Sequence, residues 1–175
     1  MKDELRAKYK KLRKDFSGTQ REQATKEIIA RAIECIGQRQ NVLLYNSFGT
    51  ELDTHALIKT LLDGGKNVLL PRVEGREIKA IKYGEIKSGA YGIGEPVGEE
   101  YTGEIDVVIV PFLAVNSRGY RIGYGGGYYD RFLKGKNFLK MGLGYYFQLC
   151  DDFNEDDWDE PLDMLVCERG IYKFN

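Results

Sequence analysis

Eleven consecutive residues, Arg121-Ile-Gly-Tyr-Gly-Gly-Gly-Tyr-Tyr-Asp-Arg131, carry the densest chemistry in the chain. Gly123, Gly125, Gly126 and Gly127 let backbone come close to a ligand and take up conformations other residues avoid. Successive backbone N–H groups in such a turn form a concavity for anions. Arg121 adds a forked donor matched to phosphate or carboxylate, and Asp130 supplies a hard oxygen of the kind magnesium takes. The loop therefore reads as a nucleotide-phosphate site, yet of neither common type. A P-loop would close on Gly-Lys-Ser/Thr, whereas Gly127 is followed by Tyr128, and a dinucleotide turn would need a glycine at position 128. The competing reading is a plain turn or a flexible Gly/Tyr tract. Against it, the run is short and lies between the apolar segment Val107–Val110 and a helix start at Tyr128–Leu133.

Two other clusters could join this loop. Lys2, Arg6 and Lys10 recur at helical spacing, so they share one face near the start of a helix. Like charges there oppose one another and the helix dipole, a small cost that a polyphosphate would turn into attraction. Asp3 and Glu4 offset part of it, and a merely solvated face is the plainer alternative. The acidic stretch Asp151–Asp163 reads mostly as a solvated loop, but Asp163 stands at the edge of the apolar run Leu162–Cys167. Asp130 with Asp163 would meet the magnesium habit of one or two carboxylates plus waters and phosphates, provided the fold brings them together. His55 is the only histidine, which excludes multi-histidine metal centres. Cys35, Cys150 and Cys167 suggest neither a disulfide framework nor a zinc site, and read as thiols in a reducing cytoplasm.

The elements that must position these groups follow from periodicity. Leu5, Tyr9, Leu12 and Phe16 mark a first helix. Ser17 or Thr19 caps a second, carrying Ala24, Ile28, Ile29, Ala32, Ile33 and Ile36 and ending at Gly37. Asn41-Val-Leu-Leu-Tyr is a strand, Ala56–Leu62 a helix capped by Asp53 or Thr54, and Asn67-Val-Leu-Leu-Pro a second strand. Strand, helix and strand in that span predict a parallel βαβ unit. Ile78–Tyr83, Ile105–Val110, Met141–Leu149, Leu162–Cys167 and Ile171–Phe174 are further strand candidates. The sum is an α/β fold, a three-layer α/β/α domain with a central, mostly parallel sheet. Ligands in such sheets sit beyond the carboxyl ends of strands, which is where the loop after Val107–Val110 puts the glycines.

A chain of 175 residues, 42% hydrophobic and 30% charged, predicts one soluble domain over residues 1–175. No apolar run is long enough to cross a bilayer, and no signal-peptide pattern opens the chain. A formal net charge of −1 speaks against indiscriminate nucleic-acid binding. The expectation is a cytoplasmic monomer without nucleic-acid or membrane partners.

In order along the chain, Lys2-Asp-Glu-Leu-Arg6, Leu52-Asp-Thr54, Val68–Arg72, Tyr91-Gly-Ile-Gly-Glu-Pro96, Arg121–Arg131 and Pro161-Leu-Asp163 resemble the 5-formyltetrahydrofolate cyclo-ligase (methenyltetrahydrofolate synthetase) family. The glycine signature is the specific part; the basic pair on the first helix would be weak alone. The resemblance implies a fold similar to sugar-phosphate isomerases and CoA transferases. It implies ATP- and magnesium-dependent cyclisation of 5-formyltetrahydrofolate to 5,10-methenyltetrahydrofolate, with ADP and phosphate released. It also implies roles for residues. Lys2 and Arg6 would grip ATP phosphates, with Arg121, Gly123, Tyr124, Gly125, Gly126, Gly127, Tyr128 and Tyr129 completing the cradle. Arg121 and Tyr129 are the catalytic candidates, and Asp130 and Asp163 the magnesium carboxylates. Phe48 and Asp53 would contact folate, with Tyr124–Tyr128 lining the same pocket. A carboxylate at position 53 suits adjacent pterin N–H donors, although a helix cap accounts for Asp53 equally well. Departures from the family pattern are Asp53 for a frequent glutamate, Val115-Asn116 for Phe-Asp, Asp157-Trp158-Asp159 for Pro-His-Asp, and Cys167-Glu168 for Thr-Glu.

Two rival classes remain at this stage. A sugar-phosphate isomerase or acyl-CoA transferase of similar fold would turn over without ATP. A folate- or nucleotide-binding module without ligase activity would use the tyrosines as stacking platforms and leave Lys2, Arg6 and Arg121 without chemistry.

Overall fold

A strand made only of β-branched and aliphatic residues is stable where both its faces are covered, and Val107–Val110 meets that condition with all four residues buried. The computed structural model describes residues 1–89 and 92–174; Tyr91, at the head of one family motif, lies outside them. In chain order the helices are α1 (Lys2–Asp15), α2 (Gly18–Ile36), α3 (His55–Asp63) and α4 (Tyr128–Leu133). The strands are β1 (Asn41–Leu44), β2 (Asn67–Glu74), β3 (Glu77–Lys82), β4 (Ile86–Ser88), β5 (Gly94–Pro96), β6 (Val107–Val110), β7 (Ala114–Val115), β8 (Arg121–Ile122), β9 (Leu139–Leu143), β10 (Met164–Cys167) and β11 (Gly170–Lys173).

Among the described residues the main sheet has seven strands in the order β11-β10-β9-β6-β1-β2-β3. The five central strands are parallel, and β3 and β11 close the edges antiparallel. The chain leaves β1 for β2 on one side and later returns to β6 on the other. The sequence order therefore reverses between β1 and β6, and the crevice at such a switch point is the usual ligand site.

Alternate residues of each parallel strand feed separate cores. Val42, Leu44, Val68, Leu70, Val107 and Ile109 face α2 and α3. Leu43, Leu69, Val108 and Val110 face a second core with Phe112, Leu133 and Leu162. A smaller third core joins Leu5 and Tyr9 of α1 to Leu113, Ala114, Ile122, Cys150 and Phe153, so α1 rides on the β7–β8 hairpin. The expected three-layer α/β/α arrangement is present.

Local departures from expectation have simple causes. On α1, Arg13 is buried and Leu12 is on the exposed side. β2 runs through Pro71 to Glu74, because its register with β1 ends at Leu69 and Pro71 pairs only with Ala80 of β3. A missing N–H costs little there. β6 starts at Val107 because Asp106 turns its carboxylate onto the N–H groups of Gln40 and Asn41. The strand expected over Met141–Leu149 stops at Leu143 and continues as a 3-10 turn, Tyr146–Gln148. Gln148 fastens that turn by accepting from Tyr145 N–H and donating to the Leu113 carbonyl. Asn116 accounts for one departure from the family pattern: its Oδ1 accepts from the N–H groups of Arg118 and Tyr120 and closes the β7–β8 turn, as an aspartate could.

Candidate active site

A cavity of about 880 Å³ opens beyond the carboxyl ends of β1 and β6 and beside the second half of β2, where Tyr45, Pro111 and Pro71 line it. Lys2, Arg6, Lys10, Arg121, Gly123–Tyr129, Asp130, Phe48 and Glu51 also line it. The fold thus gathers the basic helix face and the glycine loop from segments more than a hundred residues apart in sequence. The join is direct: Arg6 Nε donates to the Gly123 carbonyl at 3.0 Å.

The glycine loop leaves β8 and ends as α4 begins. Gly125 has φ +102° and faces the Arg6 guanidinium, with the position of an added Cβ 3.5 Å from Arg6 Cζ. Gly127 is the left-handed N-cap of α4, with φ +66°, a conformation costly for any residue with a side chain. Behind the loop, Arg121 Nη1 donates to Asp130 Oδ1 at 2.8 Å; the two side chains are 4% and 19% exposed. The Asp130 Oδ1 also accepts from Glu160 N–H. Arg121 Nε is buried with no hydrogen-bond partner among the described residues. A buried, unsatisfied guanidinium nitrogen at a cavity wall is a donor without its acceptor.

At the other end, the loop between β1 and α3 is knitted to itself. Thr54 Oγ1 donates to the Tyr45 carbonyl and accepts from Ser47 N–H, while Ser47 Oγ accepts from Thr54 N–H. This fixes Glu51, only 8% exposed, against the cavity. Glu51 Oε2 accepts from Phe48 N–H at 3.0 Å and Oε1 from the Tyr124 hydroxyl at 2.9 Å; Arg13 Nη2 donates to the same hydroxyl at 2.9 Å. Each carboxylate oxygen keeps acceptor capacity toward the cavity. Burial raises the Glu51 pKa, against the pull of Phe48 N–H, Tyr124 and Arg13. Burial and then the Glu51 charge push Tyr124 up to about 12, and the same causes raise Tyr129, so both stay protonated hydroxyls at neutral pH.

Two expected ligands are elsewhere. Asp53 is outside the cavity lining: its side chain is 64% exposed and its Oδ1 accepts from His55 N–H and pairs with the imidazole. The carboxylate two residues earlier takes the cavity position. Asp163 is likewise outside the lining. Its Oδ2 accepts from Lys140 N–H at 2.8 Å, tying the start of β10 to β9. The pair Asp130–Asp163 is therefore not assembled at the cavity; Asp156 and Asp159 are, both hydrogen-bonded by Lys2. Sequence reasoning also passed over Arg13, whose signal was its position four residues after Tyr9 on the buried face.

A family model described as the 5-formyltetrahydrofolate cyclo-ligase family matches residues 1–168. The chain belongs to this family. The Haemophilus influenzae protein named 5-formyltetrahydrofolate cyclo-ligase is 33% identical over 181 residues, covering 94% of this chain and 97% of that one. Its Escherichia coli K12 namesake is 30% identical over 146 residues, covering 76% and 80%. The solution structure of Aquifex aeolicus 5,10-methenyltetrahydrofolate synthetase superposes with a TM-score of 0.87 at 35% identity, over 99% of this chain and 93% of that chain. Membership of the cyclo-ligase family makes the chain an enzyme of folate chemistry and implies a nucleotide co-substrate. No helix among the described residues is long and apolar enough to cross a membrane.

For a cyclo-ligase, the exchange of Asp53 for Glu51 has a direct test. Asp53→Ala is expected to leave the KM for the folate within about twofold, since an exposed Asp–His pair contributes little. A KM rise of tenfold or more in steady-state assays would return Asp53 to the folate site.

Proposed function

We propose that the chain converts 5-formyltetrahydrofolate and MgATP to 5,10-methenyltetrahydrofolate, ADP and phosphate. The observation that carries this reading is the pairing, in one cavity, of a buried carboxylate receptor with a cationic glycine loop. Glu51 offers two adjacent acceptor oxygens to the adjacent N–H donors of a pterin ring, while Phe48 and Tyr124 supply apolar surface. Lys2, Arg6, Arg121 and the backbone from Gly123 to Tyr129 hold the phosphates.

The reaction then follows from placement. The formyl oxygen attacks the γ-phosphorus and ADP leaves, so the formyl carbon becomes electrophilic. The neighbouring arylamine nitrogen attacks that carbon and loses its proton. Departure of phosphate carries the former formyl oxygen away and leaves the methenyl bridge. Positioning and charge neutralisation supply the catalysis, and no side-chain nucleophile is needed. Arg121 meets the charge that develops on the transferring phosphoryl group. Tyr129, held protonated, donates a hydrogen bond to the reacting oxygen.

Among the described residues no three His, Cys, Asp or Glu side chains form a metal cage. The cavity fits magnesium in the mode that needs least protein, with Asp130 as carboxylate and phosphate oxygens and waters as the other ligands. Bound there, magnesium would neutralise phosphate charge. Within the same reading the enzyme works in the cytoplasm, and a monomer suffices because one chain supplies both ends of the cavity.

Absorbance-followed formation of methenyltetrahydrofolate, with and without MgATP, tests the reading. Product only with MgATP supports it. No product from folded protein would leave a binding module, and product without nucleotide would favour an isomerase- or transferase-like reaction.

A further inference from the structure

We propose that Arg13 is a positioning residue for the folate: through the Tyr124 hydroxyl it holds the Glu51 carboxylate in place and supplies the charge that balances it. This deepens the reading of Glu51 as the acceptor for the pterin and rests on that reading. Arg13 comes from α1, is 4% exposed and stands outside the cavity lining, so it acts through its neighbours. Its Nη1 donates to the Phe112 carbonyl at 3.3 Å and its Nη2 to the Tyr124 hydroxyl at 2.9 Å, while Nε has no partner among the described residues. None of these contacts is a carboxylate. A buried cation without a contact anion is costly to keep, and an orphan donor adds to the cost. Stability therefore does not explain Arg13.

Its counter-charge is one hydroxyl away. Tyr124 accepts from Arg13 and donates to Glu51 Oε1 at 2.9 Å. A guanidinium can only donate, so the tyrosine proton is directed onward to the carboxylate. A protonated Glu51 would need that hydroxyl as its acceptor, and Arg13 already occupies it. The chain of three thus favours the ionised form, whose remaining acceptor capacity is what adjacent N–H donors require. Other groups face the pair from the neighbouring elements. Tyr45 after β1 and Tyr129 of α4 both feel the Glu51 charge, and Lys10 of α1 stands 5.8 Å from the Tyr124 ring. Arg21 of α2 holds the Glu51 backbone carbonyl rather than its side chain. Arg13 is the cation that pulls the Glu51 pKa down against burial.

Arg13→Met removes the charge and keeps an apolar stem. The Phe112 carbonyl retains Gln148 Nε2 as a donor at 3.4 Å, and Glu51 can relieve its isolated charge by taking a proton. The variant should therefore melt within a few degrees of wild type. Its acid limb in kcat/KM for the folate, which reports the free enzyme, should move up by about one pH unit. At pH 7 the folate KM should rise about tenfold, with kcat and the KM for ATP changed less than about threefold. Arg13→Lys keeps a charge and should return the acid limb to its wild-type position. In a Tyr124→Phe background the link is already cut, so Arg13→Met should add little. An unmoved acid limb and folate KM in Arg13→Met would overturn the proposal. An equal rise in both KM values would make Arg13 a fixture of α1 and overturn it too, as would full additivity with Tyr124→Phe. Where Arg13→Met does not fold, Tyr124→Phe decides alone, and an unmoved acid limb there overturns the proposal. Wild-type protein that makes no product from MgATP and 5-formyltetrahydrofolate would instead overturn the ligase reading itself.

Discussion

Replacing Arg121 with alanine is expected to lower kcat about a thousandfold, with little change in the KM for the folate. Donors aimed at developing charge in a water-poor site are worth that much, and Arg121 is nearly fully buried at the cavity wall with its Nε unsatisfied. The same substitution strands Asp130, whose Oδ1 holds Arg121 Nη1 at 2.8 Å. Breaking such a partly buried pair from one side destabilises the fold, by less than the about 3–5 kcal/mol of a fully buried one. Arg121→Lys separates the two effects: it keeps a charge beside Asp130 but loses the planar fork. The lysine variant should fold near the wild-type temperature and remain at least tenfold impaired in kcat. Near-normal single-turnover rates in that variant would remove Arg121 from the phosphoryl-transfer step.

The second large effect is expected at Glu51. Glu51→Gln substitutes a donor for one of two acceptors, so one of Phe48 N–H, the Tyr124 hydroxyl and the pterin N–H groups must face an NH2 group. Mismatched buried polar groups discriminate by about 10⁴ or more, and kcat/KM for the folate should fall by at least about 10³. The fold should not suffer equally. Burial raises the Glu51 pKa, so the folded chain holds this proton more tightly than the unfolded chain does. That contribution to stability is present at low pH and is lost as pH rises through the folded pKa. Removing the carboxylate therefore spares the protein a buried charge. The unliganded glutamine variant should melt within a few degrees of wild type at pH 7, by circular dichroism. In the wild type, the acid limb of kcat/KM for the folate should lie above the ordinary glutamate value of 4.5, and the variant should lack it.

The sheet and the place of the glycine loop were legible for a physical reason. Val107–Val110 and the two Val-Leu-Leu runs have no polar face, so they had to be central strands, and the glycine run after β6 had to lie at their carboxyl ends. The carboxylate end of the cavity was harder. Glu51 and Asp53 flank Leu52, and the sequence offers both carboxylates. Leu52 is buried and Asp53 turns back onto His55 N–H, but the Ser47–Thr54 bonds that aim Glu51 inward span seven residues and leave no periodic trace. The placement of Asp163 was hidden for a related reason. Its place at a strand edge was readable, whereas its commitment to Lys140 N–H depends on β9 and β10 being neighbours.

The small third core has a kinetic consequence. Only Leu5 and Tyr9 of α1 enter it, while α2 buries five residues along its length. Segments with few buried contacts open on their own, well below the free energy of global unfolding. In the empty enzyme, α1 should therefore exchange its amide protons by local detachment, much faster than α2. A nucleotide gripping Lys2 and Arg6 would fasten the helix from its outer side. Deuterium uptake in α1 should then slow on adding ADP, while α2 keeps its rate, so that the first helix behaves as a latch that the substrate itself closes.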